Sequence, residues 1–176
     1  MCEDRIKLRC LGMAREFDDA TVFQLGRLTL AFILLDQAIT DLTSDLLECR
    51  DGRIARGMVV RLNFQAKVDA LKWLIERRGE AVPASQGAVR ELHGLLHQAR
   101  ELATHRNDLI HGHVYTHKET REVLLVNFGK GRQARLRGVD AEEIAQLNDQ
   151  MTDVGLALIA QASRVRSELL GVDGEE

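Results

Sequence analysis

Leu25, Leu28, Phe32, Leu35, Ile39, Leu42 and Leu46 recur at steps of three and four. That spacing puts all seven on one face and predicts a long amphipathic helix from about Asp19 to Glu48. The stretch RDGRIARG, with Gly52 and Gly57, interrupts the pattern and reads as a break. A second helix then carries Phe64, Val68, Leu71 and Ile75 on one stripe and ends near Gly79. Pro83 and Ser85 mark a connection. From Gln86 a third helix turns Leu92, Leu95, Leu96, Ala99, Leu102 and Ala103 inward, with Gly112 as its stop.

Beyond Gly112 the texture changes. HVYTH, REVLLVNF and QARLRGV alternate or cluster β-prone residues around the turn formers Gly129 and Gly131. The pattern predicts a small β-hairpin or a three-stranded meander. Asp140, followed three residues later by Glu143, resembles a capping box that opens a last helix. Its inward positions are Ile144, Leu147, Met151, Val154, Leu158, Val165 and Leu169. The expected fold is therefore mainly α, a helical bundle of four to five helices with a small β insertion between the third and last helices. One domain covers residues 1–170, and 171–176 form a frayed tail.

Composition adjusts this picture only in places. Apolar residues at 45%, charged residues at 29% and a single Pro suit a folded globular chain. The longest early apolar run, Leu28 to Leu35, falls short of the roughly 20 residues a bilayer requires, so no membrane span is expected. The N-terminus MCEDRIKLRC lacks the apolar core of a secretory signal, which points to the cytoplasm. Cys2, Cys10 and Cys49 are odd in number and widely spaced, hence free thiols rather than a disulfide or zinc framework. A net charge of -3 excludes a broadly basic nucleic-acid coat. The charge is uneven, however: residues 50–78 carry +5, residues 118–137 carry +4 and residues 140–176 carry -7. Lys130, Arg132 and Arg135 cluster in the second basic block, where they could contact the phosphates of RNA.

One residue sits badly with a purely structural account. At 100° per residue, Leu95, Ala99, Leu102 and Ile110 all fall within about 40° of Arg106, which places this arginine in the apolar stripe of the third helix. A guanidinium cannot shed its proton, so burying it demands a carboxylate, a phosphate or a path back to solvent. Asn107 and His111 are four residues apart and share a helical face, and Arg106 is long enough to swing toward His111.

The run RNDLIHG, preceded by the amphipathic helix containing FQAKVDALKWLI, resembles the HEPN (higher eukaryotes and prokaryotes nucleotide-binding) superfamily. The motif of that superfamily is Arg, four to six residues, then His, with a polar residue commonly after the Arg. Arg106, Asn107 and His111 fit its four-residue form. The resemblance implies a helical bundle with the motif at a helix end. It further implies a metal-independent endoribonuclease that needs no cofactor and works as a homodimer, in the manner of toxin or defence modules, with two motifs facing across one composite site. RNA would be the substrate, and an antitoxin or other partner protein a further implied ligand. The dimer is expected to form through the third helix, whose apolar stripe runs up to the motif.

The residue types suit that chemistry. His111 can exchange protons near neutral pH, Arg106 can hold non-bridging phosphate oxygens, and Asn107 can orient His111 or bond the phosphate. HEPN toxins that are paired with a nucleotidyltransferase carry a Tyr two residues after the motif His. Here His113 stands there and Tyr115 lies two further on, so silencing by tyrosine modification is not expected. Two other classes of function compete. All six histidines lie between His93 and His117, which invites a metal site, although no Cys is near and no Glu follows His93. A non-catalytic HEPN-fold adaptor, binding module or antitoxin is the other alternative.

Overall fold

The computed structural model describes residues 13–14, 19–47, 49, 51–81, 86–111, 113–117, 123–128 and 134–170. Its elements in chain order are β1 (Met13–Ala14), α1 (Asp19–Leu46), α2 (Gly52–Val59), α3 (Phe64–Ala81), α4 (Gln86–His111), β2 (His113–His117), β3 (Val123–Phe128), β4 (Ala134–Gly138) and α5 (Ala141–Leu170). The chain is mainly helical. β1, from ahead of α1, pairs with the first of the three strands between α4 and α5, giving an antiparallel order β1-β2-β3-β4. Met13 lies opposite His117, Val114 opposite Leu125 and Val126 opposite Leu136. The tail 171–176, Cys2 and Cys10 lie outside the described residues, and Cys49 is an exposed free thiol.

The chain divides into two compact units, one made of residues 1–30 and 103–149, the other of 31–102 and 150–176. In the larger unit, α1 contributes Leu35, Ile39, Leu42 and Leu46 to the core, and α3 contributes Val68, Leu71 and Ile75. Leu92, Leu96 and Ala99 of α4 and Met151, Val154 and Leu158 of α5 are also buried. Burial of these side chains is what makes the helices stable, since each large aliphatic contributes about 1.5–3 kcal/mol when withdrawn from water. At Gly155, α5 comes so close to α1 that a Cβ would meet Leu34 Cγ at 3.3 Å. The absence of a side chain permits that approach.

The stretch read as a break is a helix, and this corrects the sequence expectation. Asp51 caps α2 by accepting the Arg53 N–H at 2.9 Å, and Ala55 and Val59, four residues apart, are buried. The cap and two core contacts outweigh the helix cost of Gly52 and Gly57. Asn63 plays the same part for α3, accepting the Ala66 N–H at 2.9 Å. Arg78 of α3 donates from Nε and Nη2 to the Leu46 carbonyl at 3.1 and 2.8 Å. That carbonyl lies in the last turn of α1, where backbone acceptors lack partners within the helix.

The buried polar side chains Lys67, Thr40 and Thr43 of this unit each have a partner. Lys67 is buried and its ammonium sits 2.9 and 2.7 Å from the two carboxylate oxygens of Asp36. Thr40, Thr43 and Ser44 turn their hydroxyls back onto carbonyls of their own helix at 2.6–2.7 Å. Helix α1 holds an 18-residue window of mean hydropathy 1.4, long and apolar enough by length and composition to cross a membrane. Counting unbroken apolar runs misses this, because isolated polar residues such as Thr29 and Asp36 divide the stretch without much lowering its mean. A core helix passes the same test, and one face of α1 is core.

The Asp36–Lys67 pair generates a prediction. Asp36→Asn leaves the Lys67 ammonium buried without its counter-ion and should lower stability by about 3 kcal/mol. Asp36→Leu combined with Lys67→Met should recover most of that loss. Urea midpoints for the two variants measure both effects.

Candidate functional site

All three motif residues sit in the last two turns of α4, within the smaller unit. Leu109 is buried there and fixes which side of the helix faces inward. Arg106 is half-buried while Asn107 and His111 are exposed. The Arg106 Nη1 donates to Asn107 Oδ1 at 3.1 Å, so the first two motif residues are joined. Among the described residues no hydrogen bond or ion pair links His111 to either of them. The helix explains this: five residues separate Arg106 and His111, or about 140° of rotation and about 7.5 Å of rise. Asn107 and His111 lie one turn apart on the same exposed side.

Burial holds the Arg106 guanidinium below its ordinary pKa, because desolvation disfavours the charged form. The group nevertheless stays cationic at neutral pH. Its Nε is buried, and the fork reaches Asn107 at the edge of solvent. The sequence reading of a cation in the apolar stripe is thus a half-buried one whose far end is turned outward along the helix.

Sequence reasoning missed the contact made by the neighbouring residue. His105 Nε2 lies 3.2 Å from Glu143 Oε1 on α5. The Glu143 N–H is itself bound at 2.7 Å by Asp140 Oδ1, which caps α5. The signal was present in the capping box, but spacing along the chain does not disclose that α4 and the start of α5 meet there. The same unit is tied further by Asn148 Nδ2, which donates to the Gln24 carbonyl and side-chain oxygen at 3.1 and 3.0 Å.

The remaining histidines of α4 also face carboxylates. His93 Nε2 is 3.7 Å from Glu76 Oε1, and His97 Nδ1 is 3.4 Å from Glu101 Oε2. Among the described residues no group of three or more His, Cys, Asp or Glu side chains could hold a metal ion. Lys130 and Arg132, and the side chains of His113, Tyr115, His117 and Arg135, lie outside the described residues. Along α4, Leu92, Leu96, Ala99, Ala103 and Leu109 are buried, Leu95, Leu102 and Ile110 are half-buried, and the exposed positions are polar, charged or glycine. No family model, curated protein or solved structure matches this chain.

Because folding desolvates Arg106, its charge is a cost at every pH below its lowered pKa. Arg106→Met keeps the aliphatic packing and removes that cost, so the melting temperature should hold or rise. A loss of about 3–5 kcal/mol would instead mark Arg106 as half of a structural ion pair.

Proposed function

We propose that this chain is a HEPN-type, metal-independent endoribonuclease acting as a cytoplasmic homodimer in a toxin or defence role. The observation that supports this most is the half-buried Arg106 guanidinium, bonded to Asn107 at a solvent-facing helix end one turn from His111. A cation in a poorly solvated setting stabilises charge developing on a phosphate more strongly than one in open water.

The reaction is an internal transesterification. A ribose 2′-oxygen attacks the adjacent phosphorus, a new 2′-O–P bond forms and the P–O5′ bond breaks. One imidazole takes the 2′-hydroxyl proton and a second delivers a proton to the departing 5′-oxygen, leaving a 2′,3′-cyclic phosphate and a 5′-hydroxyl. Arg106 holds the non-bridging oxygens, Asn107 keeps its guanidinium aimed, and two copies of His111 supply base and acid. A non-catalytic adaptor or antitoxin of the same fold is the second reading, and one observation favours it: Arg106 bonds Asn107 rather than converging on His111.

Incubating the purified chain with mixed RNA in EDTA separates the two. Cleavage in EDTA that is abolished by His111→Ala, and reduced about 100-fold or more by Arg106→Met, is the expected result. No cleavage by the intact protein under any tested condition refutes the enzymatic reading. Neutralising Lys130, Arg132 and Arg135 together should weaken RNA binding and flatten the dependence of affinity on salt. An unchanged slope would assign that block to a solvated surface.

A further inference from the structure

Helix α1 is apolar on two opposite sides. One side carries Leu28, Leu35, Ile39, Leu42 and Leu46 into the interior. The other presents Val22, Phe23, Leu30 and Ile33, which are 53%, 64%, 67% and 55% exposed. Gly26 lies in the middle of this outer face, and a Cβ built there meets nothing within 4 Å. At 100° per residue these five positions fall in a band about 100° wide, directly opposite the core positions. We propose that this outer face of α1 is the contact through which two copies of this chain associate, the helices running antiparallel about a two-fold axis.

Self-complementarity is the first support. A two-fold contact must fit its own surface. With the axis at the level of residue 28, antiparallel helices bring Gly26 of one copy level with Leu30 of the other, and Phe23 level with Ile33. A large side chain then lies over the gap left by a glycine, twice. Area is the second support. Counting about 150–200 Å² for each large apolar residue when fully exposed, the four present roughly 400 Å², close to the apolar share of a standard interface of about 800 Å² per partner.

Charge argues for a protein occupant over a lipid surface. Helix α1 carries one cation, Arg27, against four carboxylates at Asp19, Asp36, Asp41 and Asp45. Interfacial helices that bind anionic bilayers carry the reverse. Arg27 is moreover engaged 3.5 Å from Asp149.

The contact is argued from α1 alone and does not depend on the chain being a nuclease. Light scattering and sedimentation equilibrium of the full chain at micromolar concentration test it, with far-UV circular dichroism as a check on folding. The wild type should be a dimer. Leu30→Asp should weaken association by about 100-fold or more, and Gly26→Leu, which fills the gap, by about tenfold. Since Leu is the better helix former, Gly26→Leu should fold at least as well as the wild type. A monomeric wild type overturns the proposal, as does a dimer that both variants leave unchanged. So does a monomer that sediments with phosphatidylcholine–phosphatidylglycerol vesicles and is released by Leu30→Asp. A dimer lost in the variants but inactive on RNA would uphold the contact and sink only the ribonuclease reading.

Discussion

An ammonium ion withdrawn from water must find an anion, and the pairing of Lys67 with Asp36 is the constraint on which the larger unit depends. Lys67 is buried, so its charge is tolerable only while both Asp36 oxygens stay within 3 Å. This fixes the rotation of α1 against α3. With that rotation set, Phe32 and Phe64 come to 5.2 Å between ring centroids, and Leu35 and Ile39 point inward. The capping of the Leu46 carbonyl by Arg78 secures the other end of the same pair of helices. A hydrophobic pair at 36 and 67 could bury as much area, but it would set the rotation less sharply.

The fixed rotation has a consequence for the outside of α1. Because Leu28 and Leu35 must face the interior, the residues half a turn away face solvent, and here these are Val22, Phe23, Leu30 and Ile33. An isolated exposed leucine needs no explanation. A band of four large apolar residues on one helix side is of the size that marks a contact surface. The same band raises the mean hydropathy of α1 into the range of a membrane span, so a single feature of the sequence lies behind both observations.

Much of the helical framework is legible in the chain because helix burial is periodic. Most positions stepping by three and four in α1, α3, α4 and α5 are buried, Leu28, Val68, Leu92 and Ile144 among them, whereas Leu25, Phe32, Phe64, Leu95 and Leu102 are half-buried and the side chains of Val165 and Leu169 lie outside the described residues. The short helix α2 was not legible, since two glycines dominate its composition while its cap and its two core contacts are local details. Nor was the pairing of β1 with β2, which joins residues about a hundred positions apart, from Met13 to His117. Periodicity also says nothing about what lies opposite a stripe. The apolar line of α4 is divided between buried positions such as Leu92 and Leu96 and half-buried ones such as Leu95 and Leu102, a division the spacing does not disclose. The outer line of α1 could be separated from its core line only once burial was known. At the site, the face shared by Asn107 and His111 followed from spacing, whereas the His105–Glu143 contact required the meeting of two distant segments.

The geometry of α4 bears on how a single chain could, or could not, perform acid and base catalysis unaided. Cleavage by internal attack needs two proton-transfer groups on opposite sides of the phosphorus. Within the motif only His111 qualifies, because Arg106 remains protonated and Asn107 does not titrate. The nearest other imidazole on the helix is His105, but it lies six residues away, about 120° around the helix and about 9 Å along it. Its Nε2 is also engaged with Glu143. A phosphate in contact with Arg106 and His111 could not reach that ring without unwinding the last turns of α4. The helix itself therefore offers no second imidazole within reach, and in the proposed reaction that role falls to the same His111 on a second copy.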